Sequence, residues 1–389
     1  MTIANSTVRC SYYLVLIVSL GLTGVAFPAE TVTAPKEAAA STSEPANTAK
    51  PKPAPKAKGD ELPPAQGDWM AKPSASKPVQ NGKASPSATP AVEAKTAPAP
   101  AAPAAQPSEP VVAADGSETC PANPEPAPNL PRADTYKGMP FQSGEEARYI
   151  LKYGLVKVHV GYGFLRVMPP AKHTMPVAKK DGAVIQEPRW HRVFAAEAYT
   201  GDWYKMIFAG HDKMQAFSRP WDFGVTKFYI SQNEEKPFVR RFHQEKWLDF
   251  DHVSCKVTER TVDHKKKREK NTEHFLQPSA DDALGALYKL RTHTYELNKT
   301  ERVLVYTSEK NWWLEATPVA IEDVKTALGN FKAYKLAVKT YLGKELQQRG
   351  KLFVWIAAEH PNRPMIKVEG EVTFGSIYLE LDRYTPGAG

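Results

Sequence analysis

Between Ala147 and Val167 the chain reads ARYILKYGLVKVHVGYGFLRV, and its apolar residues fall on every second position. A period of two is that of a strand; a helix repeats its apolar stripe every three to four residues. The apolar set first occupies odd positions (Tyr149, Leu151, Tyr153, Leu155) and then even ones (Val156, Val158, Val160, Tyr162, Phe164). Within one strand such a change of phase needs a bulge or bend, here expected near Gly154. The far end repeats the device. Ile366, Val368, Val372 and Phe374 alternate with polar residues, and after Gly375-Ser376 the pattern resumes one step out as Ile377, Leu379 and Leu381.

Further strand-like runs lie between, among them HRVFAAEAY, VTKFYIS, HVSCKVTERTV, ERVLVYTS, FKAYKLAVKTYL and KLFVWIA, separated by turn-forming residues such as Gly329-Asn330 and His360 to Pro364. Strands and helices do not alternate, which excludes Rossmann-type and (β/α)8 architectures. The expected fold is all-β and mainly antiparallel, with strongly curved sheets or an open barrel. One short helix interrupts it, near residues 280–291. In PSADDALGALYKLR, Ser279 and Asp282 have capping-box spacing, Asp281 and Asp282 suit the positive helix N-terminus, and Lys289 and Arg291 suit its C-terminal end. Ala283, Ala286, Leu287 and Leu290 share one face, so the helix reads as a plug for the core and the two Asp as capping groups rather than catalysts.

The domain layout follows from proline. Of 34 Pro, 22 fall between Pro28 and Pro131, in a segment of Ala, Pro, Lys and Ser almost without branched apolar residues. Such a segment cannot bury enough surface to offset the entropy of ordering, so residues 27–134 are expected to be a disordered, proline-rich linker. Residues 135–386 are then one β domain. At the N-terminus, Arg9 precedes an apolar run from Tyr12 to about Ala26, with Gly24 and Ala26 at cleavage spacing. This is the pattern of a secretory signal peptide cut after Ala26; an uncleaved N-terminal anchor, associating the chain with a membrane, is the alternative. Either way the domain is expected to be exported, periplasmic or held at the inner membrane.

Export sets the meaning of the remaining counts. The formal net charge of +8 would otherwise suggest nucleic acid, a partner an exported chain seldom meets. Without residues 1–26, Cys120 and Cys255 are the remaining cysteines, and an oxidising compartment allows them to pair.

Four stretches together resemble the DUF3108 family of exported bacterial proteins: YILKYGLVKVHVGYGFLRV, WLDFDHVSCKV, DDALGALYKLR, and GKLFVWIAAEHPNRPMIKVEGEVTFGSIYLELDRY. The resemblance spans most of Ala147 to Tyr384. It implies an exported, β-rich domain and transfers no reaction and no catalytic residue. Asp282-Ala283 stands where the family often has Asp-Pro, and Asn362 where it commonly has Asp.

Enzyme signatures are missing from the sequence: no H-E-x-x-H, no G-x-S-x-G, no P-loop. The ten His are scattered, none paired at helical ligand spacing, so no catalytic residue, metal site or cofactor is expected. Aromatic and basic surface residues are the candidates for binding. Trp312 and Trp313 are consecutive, so they face opposite sides of a strand, and one ring is expected to be exposed unless the strand is covered on both faces. Trp203 and Trp221 sit among turn formers, and Lys265, Lys266 and Lys267 occupy a basic hairpin tip that could attract an anionic ligand. The expected function is a non-enzymatic envelope protein, a tethered β domain binding an envelope polysaccharide, lipid or protein. A glycan hydrolase with dispersed acids, or a lipid carrier using a half-open barrel, are the competing expectations. An apolar interior cavity would favour the carrier, and a closed core with surface Trp the binding module.

Overall fold

The computed structural model describes Cys120 and residues 127–388, apart from 180, 207–208, 237–238, 348–349 and 373–374. The expected signal segment and nearly all of the expected linker lie outside these residues. The described part is a mainly antiparallel sheet with one α-helix, as the alternation implies.

Eight strands come first: β1 (Glu146–Tyr153), β2 (Val158–Ala178), β3 (Val184–Thr200), β4 (Ala209–Ser218), β5 (Val225–Lys236), β6 (Val239–Asp251), β7 (Lys256–Asp263) and β8 (Arg268–Phe275). The helix α1 (Ala283–Leu290) follows. Then come β9 (Glu301–Thr307), β10 (Lys310–Thr326), β11 (Gly329–Leu342), β12 (Glu345–Leu346), β13 (Leu352–Ala357), β14 (Met365–Val372) and β15 (Gly375–Thr385). Neighbours in the sheet run β8-β7-β6-β5-β4-β3-β2-β1-β15-β14-β13-β11-β10-β9, with β12 paired to β11. The chain therefore makes two up-and-down meanders, joined edge to edge where β1 pairs with β15, and crosses between them through α1.

Both phase changes coincide with chain reversals, and the first with a bulge as well. Tyr153 pairs with Val158 across the four-residue turn Gly154–Lys157, and Val372 pairs with Gly375. Both are chain reversals. In a hairpin whose loop has an even number of residues, partners have opposite parity, so at Gly375 the apolar set moves from even to odd, with Val368 opposite Leu379, without any bulge. Gly154 opens its turn at φ +78°, a conformation that a side chain disfavours. The expected bulge lies a few residues before it, where the β1–β2 register slips between Leu151 and Lys152, so that beyond it partners share parity, as in Tyr149 opposite Gly163.

The sheet does not close on itself; its ends overlap. In β9, Val303, Leu304, Val305 and Tyr306 are all buried. Val303 and Val305 belong to the core around α1, whereas Leu304 and Tyr306 pack with Val225, Leu248, Phe250 and Val257 from β5 to β7. One end strand is thus covered on both faces, and the Tyr306 and Phe250 rings meet edge to face at 5.4 Å. The segment before α1 sits in this overlap. The Asp281 amide donates to Leu304 O (2.9 Å), the Tyr306 amide donates to Asp281 O (2.7 Å), and the Val225 amide donates to Ala280 O (3.1 Å).

The helix is apolar on all sides and buried except at Lys289. Ala283, Ala286, Leu287 and Leu290 face the second meander, and Leu284 and Tyr288 face the first, where Tyr288 stacks on Phe194 at 4.1 Å. Such a helix is stable only inside a core. Asp282 alone is the N-cap, accepting from the amides of Leu284 (2.7 Å) and Gly285 (3.0 Å). Ser279, expected to share the capping, instead sits at positive φ, with its hydroxyl 3.4 Å from the Arg219 guanidinium.

Candidate functional site

The two meanders do not fill the space beside α1. A cavity of about 60 Å³ lies between them, lined by α1 (Ala283, Leu287, Leu290), by β1 to β4 on one side, and by β10, β11 and β13 to β15 on the other. Its walls are almost wholly aliphatic or aromatic. Met214 and Met365 are the adaptable members of this wall. The exception to its apolar character is Thr340, 1 % exposed, whose hydroxyl has no partner. A smaller void of about 10 Å³ continues past Leu287 and Tyr288 toward Arg291.

Charged groups hold both ends of the helix. At its C-terminal end Arg291 grips Glu145 through two bonds of 2.6 and 2.9 Å, and the Tyr384 hydroxyl donates to the same carboxylate at 2.8 Å. Arg291 also donates to the carbonyls of Asn362 (2.6 Å) and Arg363 (3.0 Å). Burial works against its charge, but Glu145 outweighs that and raises the guanidinium above its ordinary value. At the N-terminal end burial pushes Asp281 up to about 7, against the pull of Lys289 at 3.1 Å. Burial likewise pushes Asp282 up to about 6, against the two capping amides. One oxygen of each aspartate has no partner, and neither does Ser218 Oγ. A Cβ on Gly285 would come within 3.0 Å of Asp282 Oδ2 and 3.1 Å of Ser218 Oγ, so glycine leaves room between them. Neither aspartate lines the cavity, so the pair holds the helix and does not face a ligand.

The buried histidines are core residues. Burial lowers both His191 and His252 to about 3, so both are neutral at ordinary pH, and His252 Nε2 bonds to Val225 O at 2.6 Å.

The residues singled out in the sequence stand apart from the cavity and from one another. Trp312 is 5 % exposed, packed in the core with its indole N–H on Thr307 O, so it cannot serve as a surface platform as expected. The reason is that its side of β10, which also carries Leu314 and Ala316, faces the core around α1. Trp313 is half-buried on the opposite face, with the Arg302 guanidinium 5.6 Å from its ring centre. Trp221 is half-buried beneath Arg219, and Trp203 is 53 % exposed with its indole donating to His159 O at 3.1 Å. No ring contact joins any two of these four Trp among the described residues. Lys265, Lys266 and Lys267 form the exposed tip between β7 and β8, where Asp263 accepts from the amides of Lys265 and Lys266. Cys120 and Cys255 are joined in a disulfide with Cα atoms 5.6 Å apart, Cys255 lying in the turn between β6 and β7.

The sequence could not reveal the cavity. Its wall residues read as ordinary core positions in ten separate elements, and no local pattern distinguishes an alternating residue that packs from one that borders a void.

Fold and site together define an antiparallel β protein whose overlapping, unclosed sheet wraps one buried helix and an apolar cavity. The chain belongs to the DUF3108 family, described as a protein of unknown function, whose family model matches residues 160–382. No curated protein matches the chain. Solved structures similar to it include a β-barrel-like protein of the domain of unknown function DUF1849 from Brucella abortus, 7 % identical, TM-score 0.40, covering 64 % of this chain and 99 % of that one. Another is a protein from Bacteroides fragilis assigned as exported, with a YmcC-like fold (12 % identity, TM-score 0.27, 64 % and 98 % covered). A third is a protein from Parabacteroides distasonis assigned as a lipoprotein (10 % identity, TM-score 0.24, 64 % and 97 % covered). Among the described residues no helix is long and apolar enough to cross a membrane.

Proposed function

We propose that this chain is an exported, non-enzymatic envelope protein that holds an apolar ligand of the acyl-chain class beside α1. The observation that carries the reading is the cavity: an aliphatic space between two meanders, with one unpartnered hydroxyl, Thr340, in its wall. Apolar walls favour an apolar occupant, and a lone buried hydroxyl favours a single polar atom on it. At about 60 Å³ the space is smaller than the ~150 Å³ engineered cavity that takes up benzene, so it admits a short apolar segment as it stands. A longer chain enters by re-packing of Met214, Met365 and the leucines around them. Export is supported by the signal-like N-terminus and by the Cys120–Cys255 bond, which suits an oxidising compartment.

A second reading rests on Trp203, whose exposed ring could stack on a sugar polymer. One experiment separates the two. Protein purified from the envelope fraction is extracted with organic solvent and the extract analysed by mass spectrometry, and binding of a fluorescent fatty-acid probe is titrated for the wild type, Leu287→Trp and Trp203→Ala. Filling the cavity with Trp should abolish probe binding, and Trp203→Ala should leave it intact. Unchanged binding in Leu287→Trp, or loss only in Trp203→Ala, refutes the cavity as the site.

A further inference from the structure

The overlap of the sheet ends brings together three side chains that the sequence keeps apart. Glu259 lies on β7, His274 on β8, and Glu309 in the turn between β9 and β10. In the β7–β8 register Val257 pairs with His274 and Glu259 with Thr272, so Glu259 and His274 are diagonal neighbours on one face. That face is the inward one, since Val257 and Glu259 are both buried. Glu309 arrives from the other end of the sheet. Ligand atoms of the three residues all lie within 4.8 Å of one another.

We propose that Glu259, His274 and Glu309 form a binding site for a divalent transition-metal ion that fastens the two ends of the unclosed sheet. Two carboxylates and an imidazole suit zinc and its neighbours, whereas magnesium and calcium prefer oxygen alone. Around a tetrahedral zinc with bonds near 2.1 Å, ligand atoms stand about 3.4 Å apart, so the cluster must contract, and the exposed turn that carries Glu309 supplies the movement. Both bonds made by Glu259, from Lys246 (2.6 Å) and Thr261 (2.7 Å), end on Oε1 and leave Oε2 for a cation. Lys246 neutralises only one of the two carboxylates. In the tautomer that donates Nε2–H to Thr272 Oγ1 (3.0 Å), His274 carries its lone pair on Nδ1.

A second observation points to the same spot. Tyr306 is 2 % exposed, and its hydroxyl has no hydrogen-bond partner. Its charged neighbours are the Glu259 and Glu309 carboxylates. A buried donor left unpaired beside two carboxylates is costly; the oxygen of a metal-bound water would accept from it.

The test uses the mature chain without a polyhistidine tag, stripped with a chelator and then titrated with zinc chloride by calorimetry, with melting followed in parallel. Wild type should take up one zinc per chain and melt at higher temperature when loaded. Glu309→Gly and His274→Gln should each bind at least tenfold more weakly and lose the shift in melting. Glu309 is exposed at φ +66°, where glycine is better accommodated, so its removal does not threaten the fold. Absence of saturable zinc binding in the wild type, or binding unchanged in both variants, overturns the site.

Discussion

Asp282 offers the sharpest test of how the helix is held. Its carboxylate caps α1 from a fully buried position, and burial raises it from the ordinary 3.8 to about 6. A folded-state pKa above the unfolded one means that the native protein holds the proton more tightly. The associated stability is full below about pH 4 and is lost as the pH rises through about 6. At 1.36 kcal/mol per pH unit the swing is of order 3 kcal/mol, an upper figure. Asparagine caps as well as aspartate, so Asp282→Asn keeps the bonds to the Leu284 and Gly285 amides but does not titrate. Its amide nitrogen takes the place of Oδ2, bordering the same gap as the unpartnered Ser218 Oγ. Asp281, raised to about 7, is present in both proteins and drops out of the comparison to first order. Urea unfolding of both proteins at pH 4, 5, 6, 7 and 8 measures the difference. The two should be nearly equal at pH 4, with the variant gaining as the pH rises through about 6 and levelling off at about 3 kcal/mol above that. Parallel curves across this range would show that Asp282 does not carry a buried charge.

Leu287→Ala should destabilise the domain by roughly 2–5 kcal/mol in the same assay, because the side chain is buried between α1 and the second meander. Glu145→Gln should cost about 3–5 kcal/mol by leaving Arg291 charged in the core, and the double variant with Arg291→Met should recover most of the loss in melting temperature. Cys120→Ser removes a cross-link across a separation of 135 residues and should lower stability by up to about 5 kcal/mol in the chain-entropy model, read from denaturation under non-reducing conditions. N-terminal sequencing of protein from the envelope fraction should begin at Phe27; a retained Met1 would show an uncleaved anchor.

Much of the fold was legible because it is written in short-range patterns. The period of two marked the strands, and the position of Ala283, Ala286, Leu287 and Leu290 marked the helix face that packs on the second meander. Where the reading slipped, two arrangements shared one pattern. The phase change at Gly154 did not reveal that a four-residue hairpin turn and a bulge both lie there, because only pairing separates the two. Trp312 and Trp313 could be placed on opposite faces of a strand, but not which face is covered, because both covers are tertiary: Trp312 lies in the core around α1, and Trp313 packs against the cluster from β5 to β7, far away in the chain.

By itself, then, the sequence determined an antiparallel β domain with one internal helix, since strand periodicity and helix capping depend on residues no more than a few positions apart. The order in which the strands pair was decided by the tertiary structure, and with it everything that joins distant residues. Glu145 meets Arg291 because β1 pairs with β15 and the helix crosses beneath them. The cavity exists because two meanders curve around a helix too slender to fill the space between them. Glu259, His274 and Glu309 converge because the sheet overlaps its own end instead of closing. None of these contacts leaves a trace in local periodicity, because each depends on how far the sheet curves and twists, a sum over every strand in it.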